Sequence, residues 1–285
     1  MRSLLINPVL NKEIKLRFRS VKSFLGVFFY LLAIGGIAVG FMLINTVFSA
    51  TAMFRPEQSR IMFMVLSFVQ MGLILFMTPG LTAGVISGER ERQTLNILLT
   101  TPQSSTSIIL SKLVSSIAYL LLMIVSSLPL YSIVFLFGGV SPSLLLTTFS
   151  FYFVVMVTIG SLGVMFSTLI RKTIISTIIT YGVALFLAGG TAFITVIGME
   201  LLANPNFNQT SFMPYLSGML NPFIILVSVF EDGITQELQN RSGIGFSMVA
   251  SFIISYLLIT ILSLLISIKK LRPNMKSTKE SVNNG

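Results

Sequence analysis

Residues 88–102 of the chain read GERERQTLNILLTTP. Four charges of alternating sign, Glu89 to Arg92, follow an uncharged run at residues 61–88 and precede an apolar segment that ends at Pro102. The cluster stands out because only 10% of the 285 residues are charged, whereas 54% are hydrophobic. We expect this segment, called the charged loop below, to lie outside the membrane and to be recognised by another molecule.

The rest of the chain has the composition of a membrane protein, with a mean hydropathy of +0.91. Its uncharged runs cover residues 23–54, 61–88, 113–170, 173–199 and 242–268. A helix needs about 20 apolar residues to cross a bilayer, so the longest run holds two spans and the others one each. The sequence predicts an all-α integral membrane protein with six transmembrane helices, at about residues 24–45, 61–85, 108–137, 144–170, 173–197 and 246–268.

The sequence lacks the residues that several kinds of chemistry need. The chain has no cysteine and no histidine, which removes the commonest zinc ligands and the commonest general base. It also lacks the G-x-x-x-x-G-K-[ST] motif that holds ATP phosphates. We interpret the six spans as free of charged side chains, which argues against a proton-coupled carrier. We therefore predict no catalytic residue, no metal site and no cofactor bound by this chain, so that energy for transport must come from a partner.

Basic residues indicate the orientation of the spans. If both termini lie on one side, sixteen of the nineteen Lys and Arg residues share that side, and only Arg55, Arg60 and Arg241 lie on the other. The positive-inside rule then places both termini and the charged loop in the cytoplasm of a cell-membrane protein. The net charge of +10 fits contact with anionic membrane lipid, so nucleic acid is not needed to explain it.

Residues 1–22 precede the first span and are basic. Asn7-Pro8 is a favourable helix start, after which apolar and basic side chains fall on opposite faces. This pattern predicts an amphipathic helix in the membrane interface, and a plain basic flank is the alternative. Lys22 lies on the basic face of this predicted elbow helix. The basic residues of the helix that we expect to be functional are Lys12, Lys15, Arg17 and Arg19.

The external segment 199–245 contains an apolar run, Tyr215 to Phe230, that Asn221-Pro222 interrupts. A seventh span there would place the basic C-terminal end outside, against the charge rule, and the run is short. We favour a re-entrant or interfacial helix pair. Residues 23–270 then form the permease domain, and residues 271–285 form a polar cytoplasmic tail.

The charged loop has the features of a docking element. Glu89 and Glu91 fall near the predicted start of a short helix, where negative charge is favourable. Leu95, Leu98 and Leu99 then form an apolar patch that either contacts a partner or lies on the membrane surface; we favour the partner. We also expect Glu89 or Glu91 to pair with Arg17 or Arg19.

Residues 86–102 resemble the first cytoplasmic loop of type-2 ATP-binding-cassette permeases. In that family, the loop that joins spans two and three begins with glycine, glutamate, a basic residue and glutamate. Two further residues and a threonine-leucine pair follow, and then a leucine pair and Thr/Ser-Pro. The elbow helix, the six spans, the near-absent second loop at Arg171-Lys172 and the long external segment also match the family's layout.

The resemblance implies a half-transporter that pairs with a second permease, identical or related, and docks on a separate ABC ATPase that binds ATP and magnesium. It implies that the elbow helix and the charged loop contact that ATPase, and that Asn221 and Pro222 belong to an external cap. The loop residues to which it assigns coupling are Gly88, Glu89, Arg90, Glu91, Arg92, Thr94, Leu95, Leu98, Leu99 and Pro102.

The resemblance implies export, and the uncharged spans suit an amphipathic or hydrophobic cargo such as a peptide, a lipid-like molecule or a drug. The alternative is a sensory membrane subunit that signals through an ATPase without net transport. A passive channel is a third interpretation, against which the lack of charged pore rings counts.

Overall fold

The computed structural model describes residues 8–48, 55–95, 103–203, 211–231 and 233–271. These residues form an all-helical protein without strands. The helices are α1 Pro8–Phe18, α2 Val21–Phe48, α3 Pro56–Thr82, α4 Ser87–Glu91, α5 Ser105–Ser126, α6 Leu128–Leu136, α7 Pro142–Leu169, α8 Thr173–Leu185, a π-helical segment Phe186–Gly190, α9 Thr191–Ala203, α10 Met213–Leu220, α11 Pro222–Phe230, α12 Gly233–Ser242 and α13 Met248–Leu271.

Six stretches of helix are long and apolar enough to cross a membrane, which confirms the predicted all-α architecture with six spans. They are Ser23–Thr46, Pro56–Glu91, Ser105–Leu136, Pro142–Leu169, Thr173–Leu201 and Met248–Leu271. Three of them are interrupted. In the second, a turn at residues 83–86 separates α3 from α4. The third consists of α5 and α6, which meet at Ser127, and the fifth contains the π-helical segment between α8 and α9.

Capping residues and tight turns fix where the spans begin. Ser104 and Ser141 accept backbone N–H bonds of 3.2 Å from Ser107 and Leu144, and so cap α5 and α7. Between α6 and α7, Gly138 and Gly139 have positive φ angles of 77° and 85°. A Cβ at Gly139 would lie 2.2 Å from the carbonyl oxygen of Pro56, so only glycine allows this turn to approach the start of α3.

Helix α7 is the centre of the bundle and packs against α3, α5, α8 and α13. The third and fourth spans are 67% and 61% buried over their most apolar windows, whereas the first span is only 17% buried. The first span is nevertheless bonded to the core: Tyr30 donates a 2.6 Å hydrogen bond to Gln70, which is fully buried on α3. This bond satisfies the carbonyl oxygen of a polar side chain that is costly to bury alone.

The interpretation that the six spans carry no charged side chain is wrong at Lys112. This lysine lies inside α5, within the predicted third span, and is only 4% exposed. Its ammonium group has two carboxylate partners, which is the condition under which a cation is tolerated in a low-dielectric setting.

The segment between the fifth and sixth spans contains two short helices that meet at a sharp bend. Helices α10 and α11 have eight and nine residues and are bent by 87° at Asn221. At about 1.5 Å per residue, neither exceeds about 14 Å, well short of the roughly 30 Å apolar core of a bilayer. A straight seventh helix is therefore not formed, and a further helix that we did not predict, α12, follows the pair.

Candidate functional site

The charged loop begins on a helical extension of the second span. The second span, Pro56–Glu91, has 36 residues, and its main helix α3 alone has 27. At 1.5 Å per residue α3 is about 40 Å long, which exceeds the roughly 30 Å apolar core of a bilayer before the span reaches the turn at residues 83–86. Its charged end, α4, therefore projects beyond the apolar layer. We call this side of the bundle, where α1, α4 and the short α7–α8 turn meet, the basic end.

Helix α4 is bonded to the last turn of α7. The Ser167 hydroxyl accepts hydrogen bonds of 2.9 Å from the backbone N–H groups of both Ile86 and Ser87. The Arg90 guanidinium donates a 3.2 Å bond to the carbonyl oxygen of Thr168. The carbonyl groups in the last turn of a helix have no partner within it, and a cation is favourable there. Both ends of α4 are thus held against one end of the fourth span.

Glu91, the last residue of α4, caps the beginning of the fifth span. Its two carboxylate oxygens accept 2.8 Å bonds from the backbone N–H and the hydroxyl of Thr173, the first residue of α8. Lys172, which precedes α8, makes no side-chain cap of its own. The backbone N–H of Thr173, then its hydroxyl, hold the pKa of Glu91 below its ordinary value. Glu91 therefore supplies, from another element, the negative charge that a helix start favours.

Lys112 joins α4 to α1 through a buried group of three charges. Its ammonium nitrogen lies 2.8 Å from Oε1 of Glu89 on α4 and 2.7 Å from Oε1 of Glu13 on α1. The carboxylates are 28% and 21% exposed, and the lysine is 4% exposed. The second oxygen of Glu89 accepts a 2.7 Å bond from the Thr94 hydroxyl, which closes the turn after α4. Helices α1, α4 and α5 therefore meet at one cation.

Arg17 fastens α1 to the end of the second span. Its guanidinium donates a 3.0 Å bond to the carbonyl oxygen of Leu81, where α3 gives way to the turn before α4. Burial lowers the pKa of Arg17, and the nearby Glu13 carboxylate raises it. Next to this bond, Phe18 packs edge-on against Tyr119 of α5, with 6.1 Å between ring centroids.

The predicted pairing of Glu89 or Glu91 with Arg17 or Arg19 needs correction. The ionic link between α4 and α1 runs through Lys112, and Glu91 is bonded to Thr173. The reason is geometric: α1 lies along α5, so the lysine of α5 lies between the two acidic residues.

Two glycines, Gly80 and Gly84, allow the second span to approach α8 closely. A Cβ at Gly80 would lie 3.0 Å from the Tyr181 hydroxyl, and one at Gly84 would lie 3.1 Å from the Thr173 methyl carbon. Gly88 continues the same row and faces the Thr173 hydroxyl. Beside this row lies an open polar cavity of about 790 Å³, which Glu13, Arg17, Glu89, Lys112 and Thr173 line with others.

Comparison with known proteins assigns the chain to a family. Residues 9–269 match the family model described as ABC-2 family transporter protein. The chain belongs to the ABC-2 transporter family. No curated protein matches it at a significant level. As an ABC-2 family member it is a multi-pass permease component of an ABC transporter, a kind of subunit that in general associates with an ABC ATPase and is not itself the catalyst.

The geometry of this ABC-2 permease divides the predicted loop residues into two groups. Gly88, Glu89, Arg90 and Glu91 lie in α4 and face other helices of the chain. Arg92 and Thr94 are exposed, but Leu95 is only 7% exposed. Leu95 thus lies within the chain's own core instead of in an outward patch. Leu98, Leu99 and Pro102 lie outside the described residues.

The other predicted residues of the permease lie on α1 and at the opposite end of the bundle. Lys15 and Arg19 are exposed and Arg17 is half-buried; Lys12 is on α1, but its side chain lies outside what the structure describes. Asn221 and Pro222 form the corner between α10 and α11. The predicted 271–285 tail, beyond its first residue, also falls outside the described residues.

Sequence reasoning missed Glu13, Lys112, Ser167 and Thr173 as members of the site. Lys112 carried a usable signal, since it is an isolated charge directly before an uncharged run of residues 113–170. Ser167 and Thr173 carried none, because hydroxyls are frequent throughout the spans. Their roles depend on which helix ends meet.

Proposed function

We propose that this permease is the membrane-spanning subunit of an ATP-driven exporter and that α4 is its coupling helix. ATP and magnesium are bound by a separate ABC ATPase, which contacts α4, the rest of the charged loop and the α1 elbow. The positive-inside rule supports a cytoplasmic position for α4 and for both termini in the cell membrane. A second permease, identical or related, completes the transport path, and the corner at Asn221 and Pro222 caps that path outside.

The bonding of α4 is the single observation that carries this proposal. One five-residue helix is tied to the fourth span by Ser167, to the fifth by Thr173 and to the third by Lys112. A displacement of α4 is therefore passed on directly to three spans and, through Glu13, to the elbow. A surface helix that served only as a connection would not need these bonds to several spans.

The exposed residues that follow α4 are the part available to an ATPase. Arg92, Gln93 and Thr94 are all exposed and adjoin the bonded residues of α4. Charge reversal by Arg92→Glu changes this surface without removing any of the α4 bonds described above. Lys270→Glu is a matched control, because Lys270 is an exposed cation on the last turn of α13 and undergoes the same change of charge.

The test is purification of the tagged permease from native membranes, identification of the ATPase that accompanies it, and measurement of ATP hydrolysis after reconstitution in liposomes. We expect Arg92→Glu to reduce both the recovery of the ATPase and the ATP hydrolysis per permease at least fivefold, and Lys270→Glu to leave both near wild type. If no ATPase accompanies the wild-type chain even after cross-linking, the proposal is wrong.

We propose an amphipathic or hydrophobic cargo, such as a peptide, a lipid-like molecule or a drug. The charged side chains that the helices bury at the basic end are already paired, as in the Lys112 group, and therefore do not provide a fixed charge for an ion. Flux of fluorescent lipid and peptide probes in the same liposomes separates transport from signalling. ATP hydrolysis without flux of any probe class would favour the sensory alternative.

A further inference from the structure

The corner between α10 and α11 is built on one buried amide. Asn221 is fully buried, and its Oδ1 accepts bonds of 2.8 Å and 2.9 Å from the backbone N–H groups of Phe223 and Ile224. This is the side-chain cap of α11. The cap uses only the oxygen of the amide, so the nitrogen is available for a different task.

The nitrogen of Asn221 reaches across to the fifth span. Nδ2 donates a 2.6 Å bond to the carbonyl oxygen of Ala188 and a 2.9 Å bond to the hydroxyl of Thr191. All the hydrogen-bonding positions of the amide are then used, two as acceptor and two as donor. Ala188 lies within the π-helical segment Phe186–Gly190, so a residue of the bent pair is bonded directly to the irregular part of the fifth span.

A π-helical turn leaves backbone groups that an α-helix would pair. The N–H of Thr191 bonds to the carbonyl oxygen of Phe186, five residues earlier, which is the π pattern. The Ala188 carbonyl lies within this displaced register, and it accepts the bond from the Asn221 amide. Two consecutive glycines, Gly189 and Gly190, end the segment and lower its resistance to bending.

The two halves of the fifth span have different attachments. The half before the π segment, α8, is joined to α4 by the Glu91–Thr173 bonds. The half after it, α9, is joined to α10 by a 2.8 Å hydroxyl bond between Thr195 and Ser217. Close packing adds to this second attachment, since a Cβ at Gly198 would lie 2.6 Å from a ring carbon of Pro214.

We propose that Asn221 is a positioning residue that fixes the π-helical segment as a hinge between the two halves of the fifth span. The amide oxygen caps α11 and so fixes the bend between α10 and α11, and the amide nitrogen holds the displaced backbone of the fifth span. The orientation of the bent pair relative to the π segment is therefore fixed. Without the nitrogen, the segment changes register or bends freely. The inference does not depend on an ATPase, a cargo or a direction of transport.

The experiment measures the flexibility of the fifth span in the full chain in lipid nanodiscs. Because the chain has no native cysteine, spin labels are placed at Ile178→Cys and Phe193→Cys, two exposed positions 15 residues apart on either side of the π segment. The control pair, Phe29→Cys and Ile44→Cys, has the same spacing on exposed positions of α2, which is uninterrupted. Electron–electron double resonance gives the distance distribution for each pair.

The informative variant is Asn221→Ser, since serine caps a helix about as well as asparagine but is too short to reach Ala188. We expect the 178–193 distribution to become at least twice as wide, while the 29–44 distribution stays unchanged. Asn221→Asp, which keeps the shape and the cap but replaces the donor with an acceptor, is expected to act in the same direction. An unchanged 178–193 width in both variants, or equal widening of the two label pairs, would overturn the proposal.

Discussion

Lys112 is the residue at which the basic end of the bundle is held together. A buried cation is costly unless it is paired, and here the pairing partners come from two different helices, Glu13 of α1 and Glu89 of α4. The same three charges that stabilise one another therefore also fix where α1 and α4 sit relative to the third span. Removal of Lys112 would leave the two carboxylates facing each other in a partly buried place.

The Lys112 group predicts a defined order of stability among variants. Lys112→Met leaves two carboxylates facing each other without a cation, and we expect a loss of about 3 kcal/mol, at the lower end of the range for breaking a buried ion pair. Adding Glu13→Gln and Glu89→Gln removes the repulsion and should recover most of the loss. Thermal unfolding in detergent measures the order. A triple variant no more stable than Lys112→Met would contradict this account.

Because the carboxylate of Glu91 is exposed, we expect its removal to affect the local opening of the first turn of α8 instead of the global stability of the protein. In Glu91→Ala we expect the amide of Thr173 to exchange its hydrogen at least tenfold faster, since that N–H loses its acceptor. Glu57→Ala, at another exposed helix start, is the control with the same loss of charge. Hydrogen exchange followed by mass spectrometry measures both, and an unchanged rate at Thr173 would show that the cap is unimportant.

The pH dependence of this cap follows from the direction of the Glu91 pKa shift. The pKa is lowered from 4.5 by the Thr173 bonds, so the ionised carboxylate is the form that caps α8. Its contribution is complete at neutral pH and is lost only as the pH falls below that ordinary value. Protection of the Thr173 amide, corrected for the intrinsic exchange rate, should therefore be constant from neutral pH down to about 5.

At the scale of elements, the end of α7 and the beginning of α4 form one joint. Three hydrogen-bonding contacts meet at the hydroxyl of Ser167: the backbone N–H groups of Ile86 and Ser87, and the Ser87 hydroxyl at 3.2 Å. The glycine row Gly80, Gly84 and Gly88 brings α8 against the same extension of the second span. The joint thus combines hydrogen bonds to α7 on one side of the second span's end with close packing of α8 side chains against glycines on the other.

A cross-link tests this joint directly. Since the chain has no cysteine, the double variant Ser87→Cys with Ser167→Cys contains a single pair of thiols. The hydroxyl oxygens of the two serines that they replace lie 3.2 Å apart. We expect a disulfide in more than half of the molecules under mild oxidation, because the two hydroxyl oxygens that the sulfur atoms replace are already in hydrogen-bonding contact. The control variant Ser87→Cys with Ser161→Cys should not cross-link, because Ser161 lies six residues before Ser167 on α7. Peptide mapping of the oxidised protein gives the yields, and equal yields would contradict the arrangement.

At the scale of the whole molecule, the described structure places different attachments at its two ends. At the basic end, α4 is bonded to three spans and to α1 through charged and hydroxyl side chains. At the other end, the bent pair is bonded to the fifth span by Asn221 and to the sixth by Tyr256, whose hydroxyl donates to the Leu220 carbonyl at 2.9 Å. The fifth span therefore has connections at both ends and an irregular segment between them.

Much of the architecture could be predicted from the chain because the bilayer imposes it. Uncharged runs of about 20 residues must be helices in a membrane, since no water is available to pair an open backbone. The positions of the six spans, the short turn at Arg171-Lys172 and the bend at Asn221-Pro222 follow from charge placement and from helix breakers. The motif at residues 88–102 indicated the family, which the match over residues 9–269 confirms.

Only the tertiary structure decided which side chains work together. Leu95 has the pattern of an outward apolar face, yet it is buried, because periodicity defines a face without saying what covers it. Whether Glu89 meets Arg17 or Lys112 depends on α1 lying along α5, a distant contact that no local pattern encodes. The sequence by itself determined the spans, because burying an unpaired backbone or an unpaired charge in lipid costs too much. The partners of Glu89, Glu91 and Asn221 were decided by helix packing, which brings together residues far apart in the chain.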